Sequence, residues 1–297
     1  MFLALFLQTI TLLFTGDVLL DRGVRPVAEK NGVEWLFAGV SEQLKAADAV
    51  VINLECPLTD VSTPLNKKYI FRADTRWAKD LRKVGVTHAA LANNHTNDQN
   101  YQGLESTKQT LENADIVPIG LVKSSADRDV TSSVQAIIPT TIKKGDIVIA
   151  LFNAVLFPLE NWSNSKTRLT PIQVESITLA KSIGEYKKAH PEHRIIAILH
   201  WGTEFQTSPS RKQQLTARML ISAGADAIIG HHPHVIQPMK YIDGRPVCYS
   251  LGNFVFDQKI PEARKGQMAK ITISSDTLVC TTIDVNIVQN RPIIDKK

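Results

Sequence analysis

Apolar runs of strand length alternate with amphipathic stretches of helix length along most of the chain. Residues 9–14 read as a first strand, and residues 34–47 set Trp35, Leu36, Val40 and Leu44 at helical spacing. The continuous apolar run Ala49–Leu54 follows as a strand. The same pairing recurs: a helix over 75–83 before a strand over 86–92, then a helix over 104–113 before a strand over 115–120. After an apolar strand at 147–153, the pattern predicts a long helix over 172–189, a strand at 195–200, a helix at 213–223 and a strand at 226–230. This alternation predicts an α/β layered fold with a largely parallel sheet. From Met239 the pattern shifts to short strands and turns, with strands at 246–251, 269–274 and Leu278–Val288. Ser275-Asp276 is read as a hairpin turn between the last two. No internal repeat, low-complexity tract or linker breaks the 297 residues, so one domain over 1–297 is expected.

Composition narrows the class. The chain is 43% apolar and 21% charged, which excludes disordered and fibrous classes. Its net charge of +5 comes from 34 basic and 29 acidic residues. The bases are scattered, with pairs such as Lys67-Lys68, Lys143-Lys144 and Lys187-Lys188 the longest runs, so no nucleic-acid-binding stripe is present. Cys56, Cys248 and Cys280 form no C-x-x-C pair and read as buried small hydrophobes. The apolar start, residues 1–8, lacks the basic flank and small-residue cleavage site of a secretory signal, and no stretch reaches the length of a membrane helix. Two readings stand: an extension of the first strand, or the stub of a signal that begins upstream.

The chemistry follows the strands. Five predicted strands run into Gly16-Asp17, Asn53-Leu54-Glu55, Asn93-Asn94-His95, His200-Trp201-Gly202 and Gly230-His231-His232-Pro233-His234. In open α/β sheets, sites form outside the carboxyl ends of the strands. His232 and His234 flank a proline, so an extended backbone would aim both rings into one cleft as neutral metal ligands. His231 reads as a ligand, a support for one, or a structural residue. Asp17 and Glu55 offer anionic oxygens, with Glu55 placed to bridge two ions that could acidify a water. Taken singly, Asp17 is equally a turn or cap residue, Glu55 a solvated loop carboxylate and Asn94 a turn asparagine. His95 is the candidate general acid, His200 a further imidazole ligand, and His88, His190 and His193 read as structural or solvated.

Together with Gly16-Asp17-Val18-Leu19-Leu20, Asn93-Asn94-His95-Thr96-Asn97-Asp98, His200-Trp201-Gly202-Thr203-Glu204 and residues 249–257, these motifs resemble the bacterial capsule-synthesis CapA family. That family includes a component of poly-γ-glutamate capsule systems. The resemblance covers residues 10–257 in the family's motif order, leaving 258–297 as C-terminal strands of the same domain. The family is similar in turn to calcineurin-like metallophosphoesterases. This implies a four-layer α/β/β/α sandwich with a site for two divalent ions (Mn, Zn or Fe) between two sheets, the antiparallel tail fitting the second sheet. By that resemblance Asp17 and His234 match ligands of a first metal, Glu55 a bridging carboxylate, Asn94, His200 and His232 ligands of a second, and His95 the acid. Leu19 stands where phosphoesterases usually carry a histidine, which weakens the first metal site.

Arg72, in Tyr69-Ile70-Phe71-Arg72-Ala73, also falls in a stretch resembling the family and is the candidate anchor for a substrate anion. His231 and Asn253 complete the expected substrate contacts, although Asn253 and Phe254 are as readily a turn and a core residue. The resemblance implies work at the cell envelope, with an acidic polymer as substrate and membrane capsule synthesis or export components as partners. The leading expectation is a metal-dependent hydrolase or transferase acting at γ-glutamyl amide bonds. The alternatives are a phosphoesterase and a non-catalytic capsule scaffold.

Overall fold

A computed structural model describes residues 8–123, 137–162 and 168–294. The first strands are β1 Ile10–Val18, β2 Ala49–Leu54, β3 His88–Ala90 and β4 Val117–Ile119, followed by β5 Leu121–Lys123, β6 Thr140–Lys144, β7 Ile147–Val155 and β8 Leu169–Pro171. The later ones are β9 Arg194–His200, β10 Ala227–His231, β11 Ile236–Ile242 and β12 Arg245–Leu251, then β13 Asn253–Val255, β14 Lys265–Ile273, β15 Leu278–Val288 and β16 Arg291–Ile293. Seven helices lie among these described strands: α1 Arg25–Asn31, α2 Val33–Phe37, α3 Ser41–Lys45, α4 Trp77–Lys83, α5 Asn100–Glu112, α6 Ser176–Ala189 and α7 Arg211–Ser222.

Alternation along each central strand produces the layers. In β1, Leu12 and Phe14 pack in a core shared by two sheets, while Leu13 packs on the other face with the helices α1, α2 and α4. In β9, Ile196 and Ile198 enter that same shared core, while Ile195, Ala197 and Leu199 pack with α6 and α7. Three apolar layers therefore separate helices, sheet, sheet and helices, which is the α/β/β/α sandwich. The first sheet has the order β16-β15-β14-β1-β2-β3-β4, with β13 added beside β1. The second has the order β11-β12-β10-β9-β7-β6, and β5 pairs with β8 in a separate ribbon.

Several expectations change. The tail does not form the second sheet alone: β11 and β12 join it, whereas β14 to β16 return to the first sheet, with β14 antiparallel to β1. The helix expected over 34–47 is broken by a 3₁₀ turn at Ala38–Val40. Here a Cβ on Gly39 would lie 2.5 Å from the Pro292 carbonyl, so β16 packs against the turn at a residue with poor helix propensity. The long helix starts at Ser176 rather than 172, because Leu169–Pro171 is committed to pairing with β5. Helix α7 carries a capping box: Ser210 Oγ accepts from Gln213 N, and Gln213 Oε1 accepts from Ser210 N. The three cysteines are buried thiols as expected. Residues 1–7, and with them most of the apolar start, lie outside the described residues.

Candidate metal centre

A β-bulge aims the first carboxylate. Strand β1 pairs in parallel with β2 through Phe14↔Val51 and then Asp17↔Asn53, so β1 carries one extra residue between the two pairs. Phe14 faces the shared core, and simple alternation would send Asp17 toward the helices. The bulge returns Asp17 to the inner face, level with Asn53 on β2 and Asn253 on β13. It requires glycine at its centre, since a Cβ on Gly16 would sit 2.3 Å from the Gly252 carbonyl oxygen. On β2, period-two alternation carries Ala49 and Val51 in the shared core onward to Asn53 and Glu55 on the same face. The same rule places His200 after Ile196 and Ile198 on β9.

Asp17, Glu55 and His200 are buried, and each offers a ligand atom within 4.8 Å of the others. His200 Nε2 lies 2.7 Å from Asn94 Oδ1 and 3.9 Å from Glu55 Oε1. His234 Nδ1 lies 3.2 Å from Asp17 Oδ2, and its Nε2 lies 3.6 Å from Glu55 Oε1. The His232 ring centroid is 4.8 Å from that of His200 and 6.1 Å from that of His234. All six expected ligands thus converge. Two ligand atoms each about 2.1 Å from one ion are about 3.0–3.4 Å apart at ordinary coordination angles, which these separations bracket.

The unsatisfied atoms point the same way. Asn53 Nδ2 donates to Asp17 Oδ1 at 2.8 Å and to Glu55 Oε2 at 3.5 Å. The other carboxylate oxygens, Asp17 Oδ2 and Glu55 Oε1, are buried with no hydrogen-bond donor among the described residues. Anionic oxygens without a donor are costly in a protein interior and suit a cation. Burial, reinforced by the charges of Asp17, Glu204 and Asp98, raises the Glu55 carboxyl well above its usual range. Burial alone would also raise Asp17, but the charge of His234, 3.2 Å away, holds it below its ordinary value. Against the same desolvation, Glu55 and Asp17 lift His234 to about 10. Burial and the neighbouring histidines push His232 down to about 3 and His200 well below the imidazole range, so both are neutral donors.

His232 and His234 differ from expectation in backbone. Their φ angles are 96° and 57°, so the chain turns through the left-handed region on either side of Pro233 rather than running extended. Such conformations cost of order 1–3 kcal/mol each and persist where the surroundings enforce them. Here the segment must bend from β10 into β11 within four residues.

His95 is held on two sides. Its Nδ1 donates to Asp98 Oδ2 at 2.8 Å, and its ring packs on Phe71 with centroids 4.1 Å apart. Asp98 is fully buried and also accepts from Phe71 N at 2.7 Å and from Lys67 Nζ at 2.5 Å. Lys67, itself 4% exposed, donates further to the Asn94 carbonyl and Asn97 Oδ1. Asp98 therefore fixes the tautomer of His95 and leaves Nε2 to exchange a proton. Burial lowers the His95 pKa, with Asp98 opposing. Asn93 fixes the loop: its Oδ1 accepts from the backbone N–H groups of His95 and Thr96, and its Nδ2 donates to the Leu54 carbonyl.

Three expected substrate contacts take other places. His231 is buried and its Nε2 donates to the Thr15 carbonyl at 2.9 Å, tying β10 to the bulge of β1 across the two sheets. Asn253 is fully buried: Oδ1 accepts from His234 Nδ1 at 2.9 Å, while Nδ2 donates to the carbonyls of His234 and Ala263. It positions His234 and has no surface left for substrate. Arg72 is exposed, donates Nη1 to the Asp60 carbonyl at 3.3 Å and makes no contact with the cluster among the described residues. Leu19 packs in the helix-side core and supplies no donor.

Two further neighbours escape a reading of the sequence. The exposed Glu204 acts electrostatically on Glu55 and His234, and its place in the motif after β9 is the available signal. Lys67 offers none, because it lies 31 residues from the aspartate it pairs with and reads as one of the scattered surface bases.

Comparison with known proteins agrees with this geometry. Residues 11–258 match the family model described as bacterial capsule synthesis protein PGA_cap. The chain is 28% identical over 289 residues to the PGA biosynthesis protein CapA of Bacillus subtilis, covering 94% of this chain and 73% of that protein. It is 28% identical over 292 residues to the capsule biosynthesis protein CapA of Bacillus anthracis, covering 96% and 69%. Among solved structures, a 5'-nucleotidase precursor from Thermus thermophilus superposes with a TM-score of 0.54 at 13% identity, covering 97% of this chain and 54% of that one. That likeness carries the metallophosphatase type of fold and nothing of the activity. With its matched motifs folded into one buried cluster, the chain belongs to the bacterial capsule synthesis protein PGA_cap family.

Proposed function

We propose that this protein is a metal-dependent hydrolase or transferase that acts on the amide backbone of an acidic, poly-γ-glutamate-like polymer at the cell envelope. One observation carries the reading: the buried Asp17 and Glu55 oxygens that no hydrogen bond satisfies stand among the imidazoles of His200 and His234, beside a histidine already oriented by an aspartate. The donor set of oxygen and imidazole suits manganese, zinc or iron, and Asp17, Glu55, Asn94, His200, His232 and His234 would hold one or two such ions. Ions bound there would supply Lewis acidity and an acidified water. His95 Nε2 then delivers a proton to the departing amine, while Asp98 stabilises the imidazole through Nδ1. Lys67 keeps the Asp98 carboxylate aligned. The names of the Bacillus relatives, a PGA biosynthesis protein and a capsule biosynthesis protein, support an assignment to capsule formation. On this reading membrane synthesis or export components are its partners.

The test uses the full chain reconstituted with each of the three metals. Poly-γ-glutamate chain length is followed by gel filtration, alongside a generic phosphodiester. Shortening of the polymer that needs metal and falls by about 10²- to 10⁴-fold in His95→Asn supports the reaction. Cleavage of the phosphodiester alone would replace it with phosphoesterase chemistry. If neither substrate is turned over and capsule output in cells survives His95→Asn, the protein acts as a scaffold.

A further inference from the structure

Two aromatic rings stand beside the site's histidines, Phe71 against His95 and Phe256 against His234, with centroids 4.1 Å and 4.8 Å apart. One guanidinium lies over both. Arg22 Cζ is 5.7 Å from the Phe71 centroid and 5.9 Å from that of Phe256. It is held from one side by Asp257: Nε donates to Oδ2 at 3.1 Å, and Nη2 lies 2.7 Å from Oδ1 as an ion pair. Asp257 also accepts from Gly23 N at 2.9 Å. No hydrogen bond ties Nη1 to another described residue, and the side chain is 34% exposed. The backbone of Arg22 sits at φ 52°, a conformation rare outside glycine, asparagine and aspartate. Beyond Phe256 and Asp257 opens a cavity of about 480 Å³ lined also by Lys259 and Arg264, neither of which is ion-paired among the described residues.

We infer that Arg22 is the residue that reads a substrate carboxylate, with Lys259 and Arg264 extending the subsite along an acidic chain. This rests on the reaction proposed above and assigns the anion anchor to Arg22 in place of Arg72. Distance and restraint both suit such a contact. The aromatic contacts keep Cζ within about 11 Å of the His234 ring and about 10 Å of the His95 ring. An extended peptide unit advances about 3.5 Å, and a γ-linked unit has two more backbone bonds. A carboxylate about two repeats from the reacting amide therefore reaches the fork. Asp257 holds the guanidinium's near edge and presents the opposite edge, so little rotamer freedom is lost on binding.

The experiment is calorimetric titration of the metal-loaded full chain with hexa-γ-glutamate and with its neutral γ-glutamine counterpart. Wild type should bind the acidic hexamer more tightly. Arg22→Met should weaken that binding by about ten- to a hundredfold, the loss of a charge-assisted contact, and leave the neutral hexamer unchanged. Arg22→Lys should fall between, and Arg72→Met should match wild type. Metal content and melting temperature are measured for each variant, and Arg22→Gln carries the comparison if Arg22→Met melts early. Retention of the acidic preference in Arg22→Met and Arg22→Gln overturns the anchor while leaving the reaction standing. Equal binding of both hexamers by wild type also overturns it, and the polymer-shortening assay decides the reaction separately.

Discussion

The buried pair Lys67–Asp98 gives a direct measure of how firmly the proposed acid is held. Asp98 is fully buried and receives three donors: Lys67 Nζ at 2.5 Å, Phe71 N at 2.7 Å and His95 Nδ1 at 2.8 Å. Asp98→Asn removes the charge but little volume, leaving the Lys67 ammonium, 4% exposed, without its counter-ion. Breaking a buried pair from one side costs about 3–5 kcal/mol. At about 2–4 °C per kcal/mol for a chain of this size, melting should fall by about 6–20 °C. Lys67→Met alone should cost a similar amount. The double variant strands neither charge and should melt well above the sum of the two losses, with a coupling of about 2–3 kcal/mol in urea unfolding. A coupling below about 0.5 kcal/mol would refute the reasoning, because the pair would then behave as if it were at the surface.

Three further outcomes are expected. His88, 9% exposed, has its pKa pushed down to about 4 by burial, so the unfolded chain binds the extra proton between there and about 6.5; its contribution is intact above that range and falls by about 3 kcal/mol as pH drops to 4. Urea midpoints from pH 7.5 to 4.5 should therefore decline less steeply in His88→Asn than in wild type, and parallel curves would exclude this origin. Gly16→Ala puts a methyl 2.3 Å from the Gly252 carbonyl, and calorimetry should record a loss of about 1–3 kcal/mol with weaker ion uptake as Asp17 shifts. Asn253→Ala removes the acceptor for His234 Nδ1, and titration with zinc or manganese should show affinity lower by about 10- to 100-fold in a protein that still folds.

The parts of this molecule legible in the sequence are those governed by local periodicity. Strand β2 occupies Ala49–Leu54 as read, and the inner faces of β2 and β9 follow two-residue alternation through to Glu55 and His200. Strand ends rich in Asp, Glu, Asn and His therefore locate the cluster. What stays hidden depends on register between distant segments. The three-residue strand Asn253–Val255 has no periodic signal of its own, yet its pairing with β1 sets Asn253 beside His234. Composition gives no hint that the Lys67 side chain is buried while Arg72, five residues on, is exposed. The tail reads as one set of antiparallel strands, and its division between two sheets depends on which edges remain open once the parallel strands have packed.

The bulge in β1 links these levels. A strand kept in perfect alternation would bury Asp17 among Leu, Val and Phe side chains on the helix side, where an unpaired carboxylate is costly. One added residue, Gly16 approaching Gly252, turns that carboxylate inward, and the same distortion frees the Thr15 carbonyl to accept from His231. Asp17 then shares a level with Asn53, which holds its inner oxygen and leaves Oδ2 open to His234. The geometry of the candidate metal centre is thus inherited from a backbone irregularity, with the two sheets locked around it by a histidine that occupies no ligand position itself. A donor set placed by strand pairing and buried hydrogen bonds is positioned by the fold itself, which is what a pre-organised site requires.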